Sequence, residues 1–339
     1  MIHRANAFTV VIMGISGLIL MSSNTSGINK KHQATLNDRI LTHHDEVTVR
    51  GVILDEIPDF TINSLTLIST GWDNLVADVN NEWIFRFARE KSFVSALERE
   101  RLLLDQLHHH ISIPIPYYEL FGTNTAFVGY RKIPGESILD EKLYVTLSNK
   151  VRQEIAETLA VFLSQMHRAI SVDEALSWGY KQYEEPLELI ENSVLNTTQS
   201  PQAERLMREA LAYTKQYCHD NDNLVLLHND LHGGNFTVDM NTHKVIGVFD
   251  FSDAAVGNYF IEFAQLFNIH HDLAFRAMEA YTRLNNVNNA IKPAAIEYVL
   301  RRARYILQAR DQKNISREQR LIQQLEHFAP AWDDLFNHH

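Results

Sequence analysis

Residues 227–251, LHNDLHGGNFTVDMNTHKVIGVFDF, constrain this chain more than any other stretch. Residues 236–238 read as a short strand, 239–243 as turn chemistry and 245–249 as a buried apolar strand. A hairpin of that kind returns the chain on itself, so Asn235 before the first strand and Asp250 after the second arrive at the same end. Just upstream, His228, Asp230 and Asn235 stand in the spacing H-x-D-L-x-x-x-N. An acid, an amide and a second acid are thereby delivered to one edge.

That spacing, followed by an Asp closing an apolar run, is the pattern of a kinase catalytic loop and its metal-binding Asp. Phosphoryl transfer must position a hydroxyl against a γ-phosphate and neutralise charge on the phosphate oxygens. Asp230 would accept the hydroxyl's proton, and Asn235 and Asp250 would offer hard oxygen ligands to Mg2+, which takes one or two carboxylates plus substrate phosphates. A cation is implied, because a carboxylate about 4 Å from a phosphate oxygen repels it by ~4 kcal/mol at an effective dielectric of about 20. The same residues admit two other readings. In a purely structural hairpin His228 would only satisfy backbone carbonyls, which is the expectation for His228 itself. A metal hydrolase would use His228, Asp230 and His232, although no other cluster in the sequence has the spacing to complete such a site.

His228-Asn229-Asp230-Leu231-His232-Gly233-Gly234-Asn235 and Val248-Phe249-Asp250-Phe251 resemble the two signature motifs of the aminoglycoside phosphotransferase family, small-molecule kinases with a protein-kinase-like fold. Members often carry H-G-D-L-H-x-x-N and I-D-F or I-D-W there. Asn229 replaces the small residue and Phe249 the Ile, and neither change touches a reacting group. The resemblance spans roughly residues 66–264. It implies ATP or GTP as donor, Mg2+ as the metal, Asp230 as the catalytic residue, and Asn235 and Asp250 as metal ligands.

A chain of 339 residues accommodates two lobes, each with its own core. The net charge of -11 argues against nucleic acid as the main partner, since phosphate backbones call for clustered Lys and Arg. It suits a cationic acceptor, for which Glu184, Glu185, Glu188, Glu262, Asp272 and Glu279 are candidate carboxylates, each also readable as a solvated charge. Cys218 is the single cysteine, which excludes an internal disulfide and is compatible with a reducing compartment; it reads as a small apolar helix residue.

Arg4 precedes an apolar run over 7–21, and 22–27 is a small polar stretch, which together resemble a secretory signal peptide. The run is short for a spanning helix. A membrane anchor, an export signal and a translation start placed upstream of the true one at Met21 all fit. An enzyme that needs a nucleoside triphosphate favours the last, and with it a cytoplasmic protein without stable membrane association. The expected organisation is a leader or extension over 1–30, a β-rich nucleotide-binding lobe over 31–130 and a helical catalytic and substrate-binding lobe over 131–339.

From residue 46 the pattern turns β-like: Val47, Val49 and Val52 lie in a strand-like stretch, interrupted at Pro58 and resumed over 64–68. The turn formers of 69–74 precede strands over 75–79 and 82–87, joined by an Asn80-Asn81 turn. On its residues, the 69–74 loop is either an ordinary hairpin loop or one whose N–H groups cover a triphosphate. The resemblance makes Ser69, Thr70 and Gly71 a phosphate loop. It also puts Arg86 where the family carries a Lys, or in many members an Arg, that reaches the α and β phosphates. Lys91 could share that task, and the alternative for Arg86 is a solvated edge-strand charge. Residues 90–109 form a helix with Phe93, Leu97, Leu104 and Leu107 on one face. On it, Glu100 matches the family's acid that pairs with the phosphate-contacting base, while Glu98 and Glu100 could otherwise both pair with Arg101 on the surface. After strands over 117–120 and 126–130, residues 131–136 look like the family's hinge. There the backbone groups of Arg131 and Ile133 would bind the nucleobase. A Pro-Gly loop would look the same, so ATP and GTP are not distinguished.

The remainder reads as helices over 150–170, 202–219, 259–284, 293–311 and 317–327, with 180–200 irregular and acidic and 253–258 a loop. Glu262 stands where the family often has an Asp in a D-x-A pattern. The whole is expected to be an α+β protein of bilobal protein-kinase-like fold, a small antiparallel β-sheet lobe joined to a larger helical one. It would phosphorylate a hydroxyl of an aminoglycoside-like or other cationic small molecule, with choline, amino-sugar, homoserine or macrolide acceptors as alternatives. An inactive nucleotide-binding protein and a metal-dependent hydrolase are the readings outside that class.

Overall fold

The computed structural model describes residues 36, 39–68, 74–137, 139–193, 200–217 and 223–336. The apolar run over 7–21, Ser69 to Asp73 and Cys218 lie outside them. The first part runs α1 (Glu46–Glu56), β1 (Leu65–Ile68), β2 (Asn74–Val79), β3 (Trp83–Ala88), α2 (Lys91–Leu107), β4 (Tyr118–Phe121) and β5 (Phe127–Arg131). Next come α3 (Glu141–Thr146), α4 (Asn149–Ala169), α5 (Val172–Ser177), α6 (Leu187–Ser193) and α7 (Pro201–Tyr217). The chain continues through β6 (Leu224–Leu227), β7 (Phe236–Val238), β8 (Val245–Val248) and β9 (Ala255–Asn258), and closes with α8 (Phe260–Leu266), α9 (His271–Asn285), α10 (Ile291–Asp311) and α11 (Ile315–Phe336). Among the described residues no helix is long and apolar enough to cross a membrane.

β1 to β5 form one antiparallel sheet in the order β1-β2-β3-β5-β4. Asn80 and Asn81 both take the left-handed conformation, which Asn tolerates better than most residues, and they close the β2–β3 hairpin. β3 is central and buried along its whole length. Trp83, Phe85 and Phe87 enter a core shared with Val49 and Ile53 of α1, whereas Ile84 and Ala88 join the larger core that includes Val94 and Leu97 of α2. This sheet with its two helices, set beside a mainly helical part, is the expected α+β kinase-like architecture.

Four local expectations are corrected. Residues 46–56, read as strand-like, are α1: Asp45 caps it by accepting the Thr48 N–H at 2.9 Å, and Val49 and Ile53, one turn apart, are its buried pair. The β-branched residues favour a strand locally, but one face of the sheet has to be covered and a helix covers it. Residues 253–258 are not all loop, because β9 pairs with β6 from Leu224↔Asn258 to Leu227↔Ala255. The single helix expected over 259–284 is two, α8 and α9, and the His270 side chain caps the second by accepting the Asp272 N–H at 3.1 Å. Every residue of α8 is buried, so no amphipathic period marks where it stops. Within the stretch 180–200, read as irregular, α6 forms a short helix.

Candidate active site

β7 and β8 pair in the register Phe236↔Val248, and the Phe249 N–H donates to Asn235 O at 3.0 Å. The hairpin therefore sets Asn235 beside Phe249 and Asp250, as the sequence implies. Upstream, the Asn235 amide Nδ2 donates to the Asp230 backbone O at 2.8 Å and to Asp230 Oδ2 at 2.7 Å. Both amide hydrogens are thus used within the loop, which leaves Oδ1 as the group Asn235 can offer outward. Asp230, Asn235 and Asp250 all line one cleft of about 2050 Å³, together with Arg86, Tyr130 and Ile133.

His228 is fully buried; its Nδ1 accepts the Asp230 N–H at 3.3 Å, and its Nε2 lies 3.1 Å from Phe249 O. Both ring nitrogens face backbone, so His228 braces the 228–235 loop against the hairpin and is not aimed at a metal. Glu262 reinforces the same loop. Its carboxylate is fully buried, accepts the N–H groups of His228 and, at 3.0 Å, of Asn229, and lies 3.5 Å from His167 Nε2. It belongs to the loop's foundation and not to an acceptor site.

Asp250 sits at φ 64, a left-handed conformation that a non-glycine residue adopts at a cost of order 1–3 kcal/mol when the surroundings fix it. Its Oδ1 accepts the Ser252 hydroxyl at 2.7 Å and lies 3.8 Å from Arg86 Nη2. Burial works to raise the Asp250 carboxyl. The Arg86 guanidinium and the Ser252 hydroxyl outweigh it, so its pKa lies below the usual carboxylate value.

Arg86 is 6% exposed and is no edge-strand charge. Its Nη1 donates to Glu100 Oε1 at 2.6 Å and to Tyr118 OH at 3.0 Å. Burial opposes its charge, but Glu100 and its neighbours dominate and raise its pKa well above the ordinary value. Glu100 Oε1 also accepts the Phe251 N–H at 3.3 Å, so one carboxylate links β3, α2 and the segment after Asp250. Glu98, the other candidate on α2, pairs with Arg101 at 3.0 Å instead.

At the hinge, Lys132 N–H donates to Glu82 O at 2.8 Å, so strand alternation turns the backbone groups of Arg131 and Ile133 the other way. The Arg131 side chain is exposed and stacks 4.0 Å above the Trp83 ring, away from the cleft lining. Lys91 is exposed and also outside that lining. Ser69, Thr70 and Gly71 lie outside the described residues.

Gln265 was not anticipated from the sequence. Its Nε2 donates to Asp230 Oδ1 at 3.0 Å, completing with Asn235 a pair of donors that orients the carboxylate. The available signal was its place one helical turn after Glu262. His232 also lies beside Asp230, with Nε2 at 3.5 Å from Oδ2 and Nδ1 accepting the Gly234 N–H at 2.9 Å. Burial opposes the imidazolium, but the bond to Asp230 and its charge prevail, and the His232 pKa lies above the ordinary 6.5.

Among the described residues no group of three His, Cys, Asp or Glu side chains is arranged to hold a metal by itself. Asn235 Oδ1 and the Asp250 carboxylate, the latter with 43% of its side chain exposed, are hard oxygen donors at one hairpin end. Such a set fits a magnesium ion that draws the rest of its shell from phosphates and water. The carboxylates proposed for a polycation are elsewhere. Glu185 is held by Tyr183 and Arg304, Asp272 by Tyr144 and Arg276, and Glu279 by Arg283, while Glu184 and Glu188 are exposed; none of the six lines the cleft.

Comparison with known proteins identifies the fold and the family. The GDP complex of wild-type aminoglycoside 2'-phosphotransferase-IIIa resembles the chain with a TM-score of 0.73 at 21% identity, covering 85% of this chain and 99% of that one. An aminoglycoside phosphotransferase complex with GDP and kanamycin gives 0.72 at 22% identity, covering 84% and 99%. The apoenzyme of macrolide 2'-phosphotransferase MphH from Brachybacterium faecium gives 0.57 at 17% identity, covering 77% and 91%. At these identities the likeness establishes the kinase-like fold. A family model described as the phosphotransferase enzyme family matches residues 64–288 of the 339. The chain therefore belongs to the phosphotransferase enzyme family, as a small-molecule kinase.

Proposed function

We propose that the protein transfers the γ-phosphate of ATP or GTP to a hydroxyl of a small molecule bound in the cleft. In this reading Asp230 takes the hydroxyl's proton, oriented by Asn235 and Gln265. Asn235 Oδ1 and Asp250 hold Mg2+, which when bound neutralises charge on the phosphate oxygens. Arg86, kept in place by Glu100, contacts the donor's phosphates, a task the family resemblance also assigns to Ser69, Thr70 and Gly71, and the backbone of Arg131 and Ile133 meets the base. The observation that carries the reading is the linked set at one cleft: Asn235 at 2.7 Å from Asp230, and Arg86 at 3.8 Å from Asp250 and 2.6 Å from Glu100. A nucleotide donor is further supported by solved relatives that hold GDP or ADP.

A screen of nucleoside diphosphate release from ATP and GTP, with Mg2+ and a panel of hydroxylated small molecules, tests it. Acceptor-dependent release is expected, and substrate hydrolysis that needs no nucleoside triphosphate would point to a hydrolase instead. A second reading, an aminoglycoside as acceptor, draws on relatives bound to kanamycin and streptomycin.

A further inference from the structure

One wall of the cleft is basic. Arg301, Tyr305 and Gln308 of α10 recur at helical intervals and line it, with Arg302 and Arg304 beside them and Arg317 entering from α11. Two of these cations meet carboxylates: Arg301 Nε donates to Glu297 at 2.9 Å, and Arg304 Nη2 lies 3.6 Å from Glu185. The second match is partial, because burial and the nearby Glu297 push the Glu185 carboxyl up to about 7.

Among the described residues Arg302 has no such partner. It is 6% exposed; Nη1 donates to Gln324 Oε1 at 3.1 Å, Nη2 donates to Asn268 Oδ1, and Nε is buried with no acceptor. Both of its hydrogen-bond acceptors are neutral, and the Tyr298 and Tyr305 rings lie 4.9 and 5.3 Å from its guanidinium. Burial holds its pKa below the ordinary guanidinium value, yet an arginine side chain stays charged in any working buffer. Arg317 likewise donates to a neutral group, Gln312 Oε1 at 3.2 Å. A buried charge without a counter-ion is costly unless something else completes it. Arg302 and Asp230 line the same cleft. Of the remaining cleft carboxylates, Asp250 faces Arg86 at 3.8 Å, Glu136 and Asp253 are on other segments, and Asp140 is engaged as the cap of α3, accepting the Leu143 N–H at 2.9 Å.

We propose that this wall binds an anionic oxygen group of the acceptor, a carboxylate or a phosphate, so that the acceptor is a hydroxylated acid and not a polycation. The inference rests on the phosphotransferase reading above. A guanidinium's planar fork matches either anion, and it would anchor the acceptor while its hydroxyl is turned to Asp230. In the transfer the hydroxyl oxygen bonds to the γ-phosphorus and the bond from that phosphorus to the β–γ bridging oxygen breaks. The nucleoside diphosphate leaves with that electron pair, and the hydroxyl proton passes to Asp230.

Inorganic sulfate, titrated into the full chain with and without Mg2+ and ADP, probes the wall directly. Saturable thermal stabilisation is expected, with an affinity at least about tenfold weaker in Arg302→Gln; equal affinity in the two proteins overturns the proposal. Should Arg302→Gln not fold, the half-buried Arg317→Gln gives the same reading. Glucose 6-phosphate, glucuronate, glucose and glucosamine, each offered with Mg2+ and ATP or GTP, then separate the phosphate from the carboxylate source. One of the two anions is expected to show a kcat/KM at least about tenfold above glucose and glucosamine, and its KM should rise at least about tenfold in Arg317→Gln. A preference for glucosamine or kanamycin over both anions overturns the proposal. So does a rise confined to the nucleotide KM, which would assign the guanidinium to the donor. Failure of the phosphotransferase reading is seen separately, as neither ATP nor GTP with Mg2+ stabilising the chain whatever sulfate does.

Discussion

Asp230 meets three side chains, Asn235 and His232 at Oδ2 and Gln265 at Oδ1. The two amides fix where the carboxylate points, and His232 titrates. Replacing Asp230 with Ala removes the proposed proton acceptor and no donor-phosphate contact. Turnover is expected to fall by at least ~10² with nucleotide affinity little changed, and near-wild-type turnover would refute the assignment. His232 sets a pH dependence whose sign follows from its raised pKa. Its pairing with Asp230 adds stability that is fully present below about pH 6.5 and is lost as pH rises through the higher folded value. His232→Gln should therefore cost more thermal stability at about pH 5.5 than at about pH 9. The acidic limb of its kcat/KM profile should also move to lower pH, since a charged His232 competes for the Asp230 carboxylate. An unchanged limb would show that His232 takes no part.

The 228–235 loop is held as an element by close backbone packing as much as by side chains. A Cβ built on Gly233 would lie 1.8 Å from Leu139 O, a backbone atom that cannot step aside, whereas one on Gly234 would meet the movable His232 ring at 2.7 Å. Gly233→Ala should cost ~1–3 kcal/mol as an overpacked site and lower kcat by displacing the loop. Gly234→Ala should mainly disturb His232. Comparing denaturation midpoints and kcat of the two variants checks this, and equal behaviour would count against it. The β7–β8 hairpin was legible because alternation and turn residues both announce it. α1 and β9 were not. A run of β-branched residues and a four-residue strand containing Gly257 carry weak or opposite local signals, and each was decided by what it had to cover or pair with.

At the scale of the whole molecule, the cleft is where the sheet, the hairpin and α10 meet, so a donor bound there should stabilise all three. Saturation at about 100 times Kd is worth ~2.7 kcal/mol of stability. The rise in Tm with Mg2+ and nucleotide should vanish in Asp250→Ala, and an undiminished rise would exclude Asp250 as a ligand. By itself the sequence determined the family's motifs, the hairpin and the helices with a clear apolar face. These are set by residues close along the chain, or by a pattern that repeats with a fixed period. Only the tertiary structure decided that Arg86 is buried and paired with Glu100, that Glu262 supports the loop, that Gln265 reaches Asp230, and that Arg302 in the cleft wall donates only to neutral groups among the described residues. Burial and charge pairing depend on partners dozens of residues away, so a net charge of -11 counted along the chain gave no indication that one wall of its cleft is basic.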